Sequence, residues 1–214
     1  MRVLFALWLG VVVPDWAAAQ TAPPTLPLHD VIVSGAWAGA QHSVRDQRPW
    51  HGSLLVGASA GRFWTDHAKT EVEASWTSPH DGNYYETLEI DGAYTWAVGD
   101  YRSHDLRVGV AQLYQFGRNQ WIHPYAGIGA DIVRREALFV REPQSRTVYV
   151  GNQSVSLELP AARERTTRVF AEAVLRTGLK MYVTDRAFFN TELKLGVKRG
   201  VDHVAWKLGL GVDF

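Results

Sequence analysis

The segment "WKLGLGVDF" alternates strictly: Trp206, Leu208, Leu210, Val212 and Phe214 share one parity, and Lys207, Gly209, Gly211 and Asp213 share the other. A period of two marks a β-strand with one apolar face. The same alternation recurs upstream, where Thr70, Val72, Ala74 and Trp76 oppose Glu71, Glu73 and Ser75, and Leu193, Leu195 and Val197 oppose Glu192, Lys194, Gly196 and Lys198. Nine runs of this kind stand between clusters of Gly, Asn, Asp and Pro: 31–39, 53–63, 70–77, 84–98, 107–116, 122–134, 169–183, 188–198 and 203–214. They predict successive strands. No helical periodicity of useful length and no fixed-period repeat accompanies them.

The connections fall into two classes. "WTDHA" (64–68), "GRNQ" (117–120) and "TDRA" (184–187) are tight, whereas 40–52, 78–106 and 135–168 are long and polar. Short turns at one end and long loops at the other characterise a transmembrane barrel. Only "RGVD" (199–202) is short where a long loop is due. An antiparallel barrel with both termini on one side needs an even number of strands, so one run is surplus. The surplus is 84–98, read as a strand arm above the membrane. A second arm is expected over 136–165, turning at Gly151-Asn152. The expectation is an all-β, eight-stranded, antiparallel up-and-down transmembrane β-barrel with long extracellular arms, closed by pairing of the last strand with the first.

Alternation alone does not say which face is inside. Gly57, Gly61, Gly127, Gly129, Gly178, Gly196, Gly209 and Gly211 all share parity with the charged residues. A narrow eight-stranded lumen needs small residues beside large ones; a solvated surface does not. Charge and glycine therefore go inside and the apolar set meets lipid. The interior is then expected to hold Glu71, Glu73, Arg107, Asp131, Arg176, Lys180, Glu192, Lys194, Lys198, Lys207 and Asp213. Such charges are tolerable only in a paired, hydrogen-bonded network, which would plug the barrel.

Composition narrows the picture further. The 22 basic residues balance the 22 acidic ones, which gives no electrostatic reason to expect a nucleic-acid partner. With no cysteine, disulfides and a Cys-borne lipid anchor are excluded. The opening "MRVLFALWLGVVVPDWAAAQ" has an Arg, an apolar run and an A-x-A site, the layout of a secretory signal peptide over 1–19. Residues 20–29 form a short periplasmic lead and 30–214 the barrel domain. No cofactor is implied, and a monomer is expected.

"GRFWTDHAKTEVE" (61–73), "QLYQFGRNQWIHPYAGIGADI" (112–132), "LKMYVTDRAFFNTELKLG" (179–196) and the Phe-terminated ending resemble the small bacterial outer membrane β-barrel proteins, such as the OmpA transmembrane domain and OmpX. The resemblance covers most of 30–214. It implies an outer membrane location and insertion by the barrel assembly machinery, which reads a last strand such as Trp206, Leu208, Leu210, Val212 and Phe214. The loops match no relative of assigned function, so the extracellular ligand stays open.

Candidate chemistry is sparse. The eight histidines include no H-E-x-x-H or similar ligand spacing, and most fall at strand ends or in turns, so no metal site is expected. A membrane-embedded lipid hydrolase or acyltransferase would need Ser, His and an acid converging at the outer rim. His42-Ser43 and Asp202-His203 are the candidates, without an H-x-S or G-x-S-x-G arrangement. A narrow pore would need a continuous aqueous lumen. Arg134 at the end of the 122–134 run and Arg135, Arg163 and Arg165 in the last long loop could pair with lipopolysaccharide phosphates; a solvated loop with its own glutamates is the alternative. Trp37, Trp50, Trp64, Trp76, Trp121 and Phe189 are expected to anchor at the membrane interfaces. Tyr84, Tyr85, Tyr94 and Trp96 either pack an arm or stack on a ligand. The favoured role is non-catalytic, in envelope integrity or surface interaction through the loops.

Overall fold

The computed structural model describes residues 28–41, 50–90, 93–116, 121–150, 153–198 and 200–214. The signal-peptide expectation over 1–19, the His42-Ser43 pair and the tips at 117–120 and 151–152 lie outside the described residues. Among the described residues eleven strands follow one another: β1 (His29–Gln41), β2 (Trp50–Phe63), β3 (Ala68–Thr77), β4 (His80–Ile90), β5 (Ala93–Gln115), β6 (Ile122–Arg141), β7 (Gln144–Val150), β8 (Gln153–Leu159), β9 (Ala162–Tyr182), β10 (Ala187–Val197) and β11 (Val201–Asp213).

Eight of them close an antiparallel ring in the order β3-β2-β1-β11-β10-β9-β6-β5, with β3 returning to β5. The ring closes through β1 and β11, where Val31 faces Val212 and Trp37 faces Trp206. At the bottom, the main chains of His29 and Phe214 exchange hydrogen bonds of 3.0 and 2.9 Å. Two tight turns share one device: Thr65 Oγ1 accepts from the amide of Ala68 at 3.0 Å, and Thr184 Oγ1 accepts from that of Ala187 at 2.9 Å. Thr-Asp at these positions is thus a turn former, its hydroxyl replacing a strand partner.

The long connections at 78–106 and 135–168 are largely strand. The run at 84–98 is not one surplus strand but a hairpin, with Tyr84 facing Gly99 and Ile90 facing Ala93. Alternation persists across the bend, which is why the run looked continuous; the sequence Asp91-Gly92 is the hairpin signal it hid. Among the described residues only 100–103 of β5 therefore carry β4 on one side and β6 on the other; above Asp100 the strand is paired with β4. β6 and β9 stay paired up to Arg141 and Ala162. Above them β7 and β8 form a separate hairpin.

The apolar parity faces outward. On β11, Trp206, Leu208, Leu210, Val212 and Phe214 are 50–61% exposed, while Lys207 and Asp213 are buried. On β5, Leu106, Val108, Val110 and Tyr114 are similarly bare. From Tyr114 to Leu106 the strand runs roughly 27 Å at about 3.4 Å per residue; tilted by about 40°, it rises about 21 Å, most of an apolar band about 25 Å tall. Aromatic rings mark both edges, with Trp37, Trp50 and Trp76 above and Trp64, Trp121 and Phe189 below, all exposed. The row Trp76, Leu106, Arg134, Val169, joined strand to strand, marks the upper lipid edge.

Candidate functional site

The lumen is filled by charge. Near the bottom, the Lys69 ammonium donates to Asp30 at 2.8 Å and to Glu71 at 2.5 Å. Lys180 bridges Asp30 and Asp213, and the Tyr182 hydroxyl donates to Asp213. At mid-height Arg176 donates to Glu71 at 2.5 Å and to Glu192 at 2.6 Å, and Lys207 joins Glu192 at 2.9 Å to Glu73 at 2.7 Å. Tyr125 donates towards Glu192 and Asn190. Higher still, Lys194 links Glu73 to Asp131 at 3.3 and 2.8 Å. Arg107 reaches Asp131, Glu172 and Asp105, and Arg135 grips Asp105 with two bonds of 2.8 and 2.9 Å.

These contacts form one unbroken chain from Asp213 at the bottom to Arg135 at the mouth. It contains eight carboxylates and seven cations, all strand-borne and pointing inward by alternation. Such near-neutrality is what keeps buried ions tolerable, since removing one member strands its partners in a poor solvent.

Of the residues assigned to the interior from sequence, Glu71, Glu73, Arg107, Asp131, Arg176, Lys180, Glu192, Lys194, Lys207 and Asp213 are buried in this column. Lys198 is a correction. It follows the last residue of β10, is exposed, and lays its ammonium over the Phe170 ring at 4.1 Å. The register of β10 against β11 shifts between Gly196 and Val197, so the alternation that placed Lys198 inside lapses before reaching it. Asp30, Lys69, Asp105 and Glu172 belong to the column but were missed. The first three sit one or two residues before the assumed strand starts, and Glu172 shares parity with Arg176 within a recognised run.

The arginines of the last arm divide. Arg134 is exposed and pairs with Glu136 at 2.6 Å, and Arg163 and Arg165 are exposed on the same outward face of the β6–β9 ladder. Arg135 points the other way, onto Asp105, and so leaves the set expected to meet lipid phosphates. Consecutive residues of a strand cannot share a face.

At the top of the lumen a small cavity, about 10 Å³, is lined among others by His51, Ser53, His80, Ser103, Asp105 and His203. It is of the order of one water. The His51 and His80 rings lie 4.2 Å apart, and Tyr101 hydrogen-bonds to His51. Burial, with His80 alongside, holds His51 below the ordinary imidazole value; burial pushes the Tyr101 phenol up to about 12. His203 is buried with neither ring nitrogen hydrogen-bonded. The sequence pair Asp202-His203 does not form a dyad, because Asp202 points to the opposite face of β11. The Asp105 carboxylate accepts from Arg107 and Arg135. Among the described residues no group of three or more His, Asp or Glu side chains is arranged to hold a metal ion.

Comparison with known proteins settles the class. The family model for the outer membrane protein β-barrel domain matches residues 3–214. The chain belongs to the outer membrane β-barrel family. Among solved structures it is similar to Neisserial surface protein A, at 15% identity and a TM-score of 0.51, covering 87% of this chain and 97% of that one. It is also similar to the attachment invasion locus protein Ail of Yersinia pestis (15%, 0.48, covering 88% and 99%) and to OprG of Pseudomonas aeruginosa (11%, 0.47, covering 88% and 97%). No match is found among curated protein sequences. The protein is thus an eight-stranded barrel of the bacterial outer membrane, in contact with outer membrane lipid.

Proposed function

We propose that this barrel is a non-catalytic surface protein, with a plugged ring as its mount and the arms as its working part. The observation that carries the reading is the chain of buried ion pairs from Asp213 to Arg135, above which β4, β5, β6 and β9 continue as a sheet. A lumen so occupied leaves no continuous water path. The cavity at its mouth is too small for a lipid and opens from inward-facing residues, whereas a lipid enzyme needs its nucleophile at the outer wall.

The arms also meet the outer leaflet. Arg134 lies level with Leu106 at the lipid edge, and Arg165 and Arg163 follow four and six residues above Val169 on the same face. Guanidinium groups stacked above an apolar wall suit the phosphates of lipopolysaccharide. In this reading they hold the sheet upright in the leaflet.

Two measurements test the proposal. Purified protein in planar bilayers should show no steady ion conductance, and sustained unitary currents would overturn the plugged mount. The triple variant Arg134→Gln, Arg163→Gln, Arg165→Gln should keep its heat-modifiable gel mobility but bind lipid A roughly tenfold more weakly, about 1.4 kcal/mol. Unchanged lipid A binding would remove the phosphate contact from the account.

A further inference from the structure

Above the lipid edge the outward face of β4 and the upper half of β5 is first polar, at Asp81, Asn83, Asp100 and Arg102, with Arg102 paired to Asp81 at 2.6 Å, and large rings return above them. Tyr85, Tyr94 and Trp96 stand there, 51, 71 and 51% exposed, on the same parity of β5 as the lipid-facing Leu106 and Val108 for the latter two. Cross-strand register interleaves rings and polar groups: Tyr85 faces Val98, Thr87 faces Trp96, and Glu89 faces Tyr94. The Tyr85 and Trp96 rings are 6.3 Å apart. From the neighbouring β7, Arg146 places its guanidinium 4.1 Å from the centre of the Trp96 ring, and its Nε is buried without a hydrogen-bond partner.

Height excludes the simplest explanation, an interfacial girdle. Ten residues separate Trp96 from Leu106, roughly 33 Å of strand at about 3.3 Å per residue, or about 25 Å of height at a tilt near 40°. Acyl chains and headgroup phosphates do not reach that level. Exposed rings rimmed by polar groups signal an interaction surface. A pyranose ring offers the matching chemistry, with an apolar C–H face to stack on an aromatic ring and hydroxyls for Thr87 and Glu89. A phosphate or carboxylate on that sugar would suit Arg146.

We propose that this face binds the anionic core saccharide of lipopolysaccharide in the same membrane, an inference that rests on the reading that Arg134, Arg163 and Arg165 meet the phosphates below. The occupant is argued from continuity. A molecule whose acyl chains lie against Val108 and Ile132 and whose phosphates meet Arg134 carries its sugars up this flank of the arm.

The test uses the full chain in nanodiscs of three compositions: phosphatidylcholine, phosphatidylcholine with lipid A, and phosphatidylcholine with lipopolysaccharide bearing a complete core. Amide hydrogen exchange is read over 80–103 and over 134–168. The complete core should slow exchange over 80–103 roughly tenfold relative to lipid A, a contact of about 1.4 kcal/mol. Tyr94→Ser with Trp96→Ser should abolish that difference while leaving heat-modifiable mobility intact. Equal exchange over 80–103 with lipid A and with complete core overturns the saccharide site, and this comparison needs no variant. The phosphate reading is tested separately, because slowing over 134–168 should already appear with lipid A alone.

Discussion

Inside the barrel and its arm, rings are answered by glycines. Tyr125 faces Gly178, Phe188 faces Gly211, Tyr84 faces Gly99 and Tyr101 faces Gly82 across neighbouring strands. Each ring lies over the position where a side chain would stand; a Cβ on Gly178 would come within 2.6 Å of the Tyr125 hydroxyl, and one on Gly82 within 2.8 Å of the Tyr101 ring. Gly178→Val should therefore lift Tyr125 away from Asn190 and Glu192 and cost about 1–3 kcal/mol, read as a lower urea midpoint for the reconstituted protein. An unchanged midpoint would mean that the lumen has slack there. The glycine parity was legible in the sequence and correctly told inside from outside. Which ring covers which glycine was not, because that depends on register between separately placed strands, to which alternation is blind.

At the scale of strands, the charged column shows both the reach and the limit of the pattern. Period two assigned Arg176, Glu192 and Lys207 to one face without knowing that β9, β10 and β11 stand side by side, which is what lets Arg176 meet Glu192 on β10 while it reaches Glu71 of β3 across the lumen. Asp30 and Lys69 escaped because strand ends carry the weakest pattern, and Lys198 was wrongly included for the same reason. The connections at 78–106 and 135–168 read as polar with a strand arm in each, but the full extent of their pairing was not legible, because a sheet above the membrane has no lipid to demand an apolar face. Arg176→Met should leave Glu71 and Glu192 short of a buried counter-charge and destabilise the barrel by about 3–5 kcal/mol. Adding Glu192→Gln should recover part of that loss, since the remaining column is then nearer to charge balance. Equilibrium unfolding of both variants in lipid vesicles checks this; no recovery in the double variant would argue that Arg176 acts by packing alone.

For the whole molecule, folding in place and arriving in place make separate demands on the same strand. The closing strand β11 is fixed to β1 along its length and through main-chain bonds between Phe214 and His29, none of which needs the Phe214 side chain. That ring is 61% exposed on the outward face and stacks loosely on His29, with 5.8 Å between centroids. Its removal should therefore cost the finished barrel little. If the alternating outward set ending at Phe214 is what the assembly machinery reads, Phe214→Ala should slow insertion into vesicles containing that machinery severalfold while shifting the urea midpoint of inserted protein only slightly. Equal losses in insertion rate and in stability would place the ring in the structure of the barrel rather than in its recognition, and the outward alternation of β11 would then answer to lipid alone.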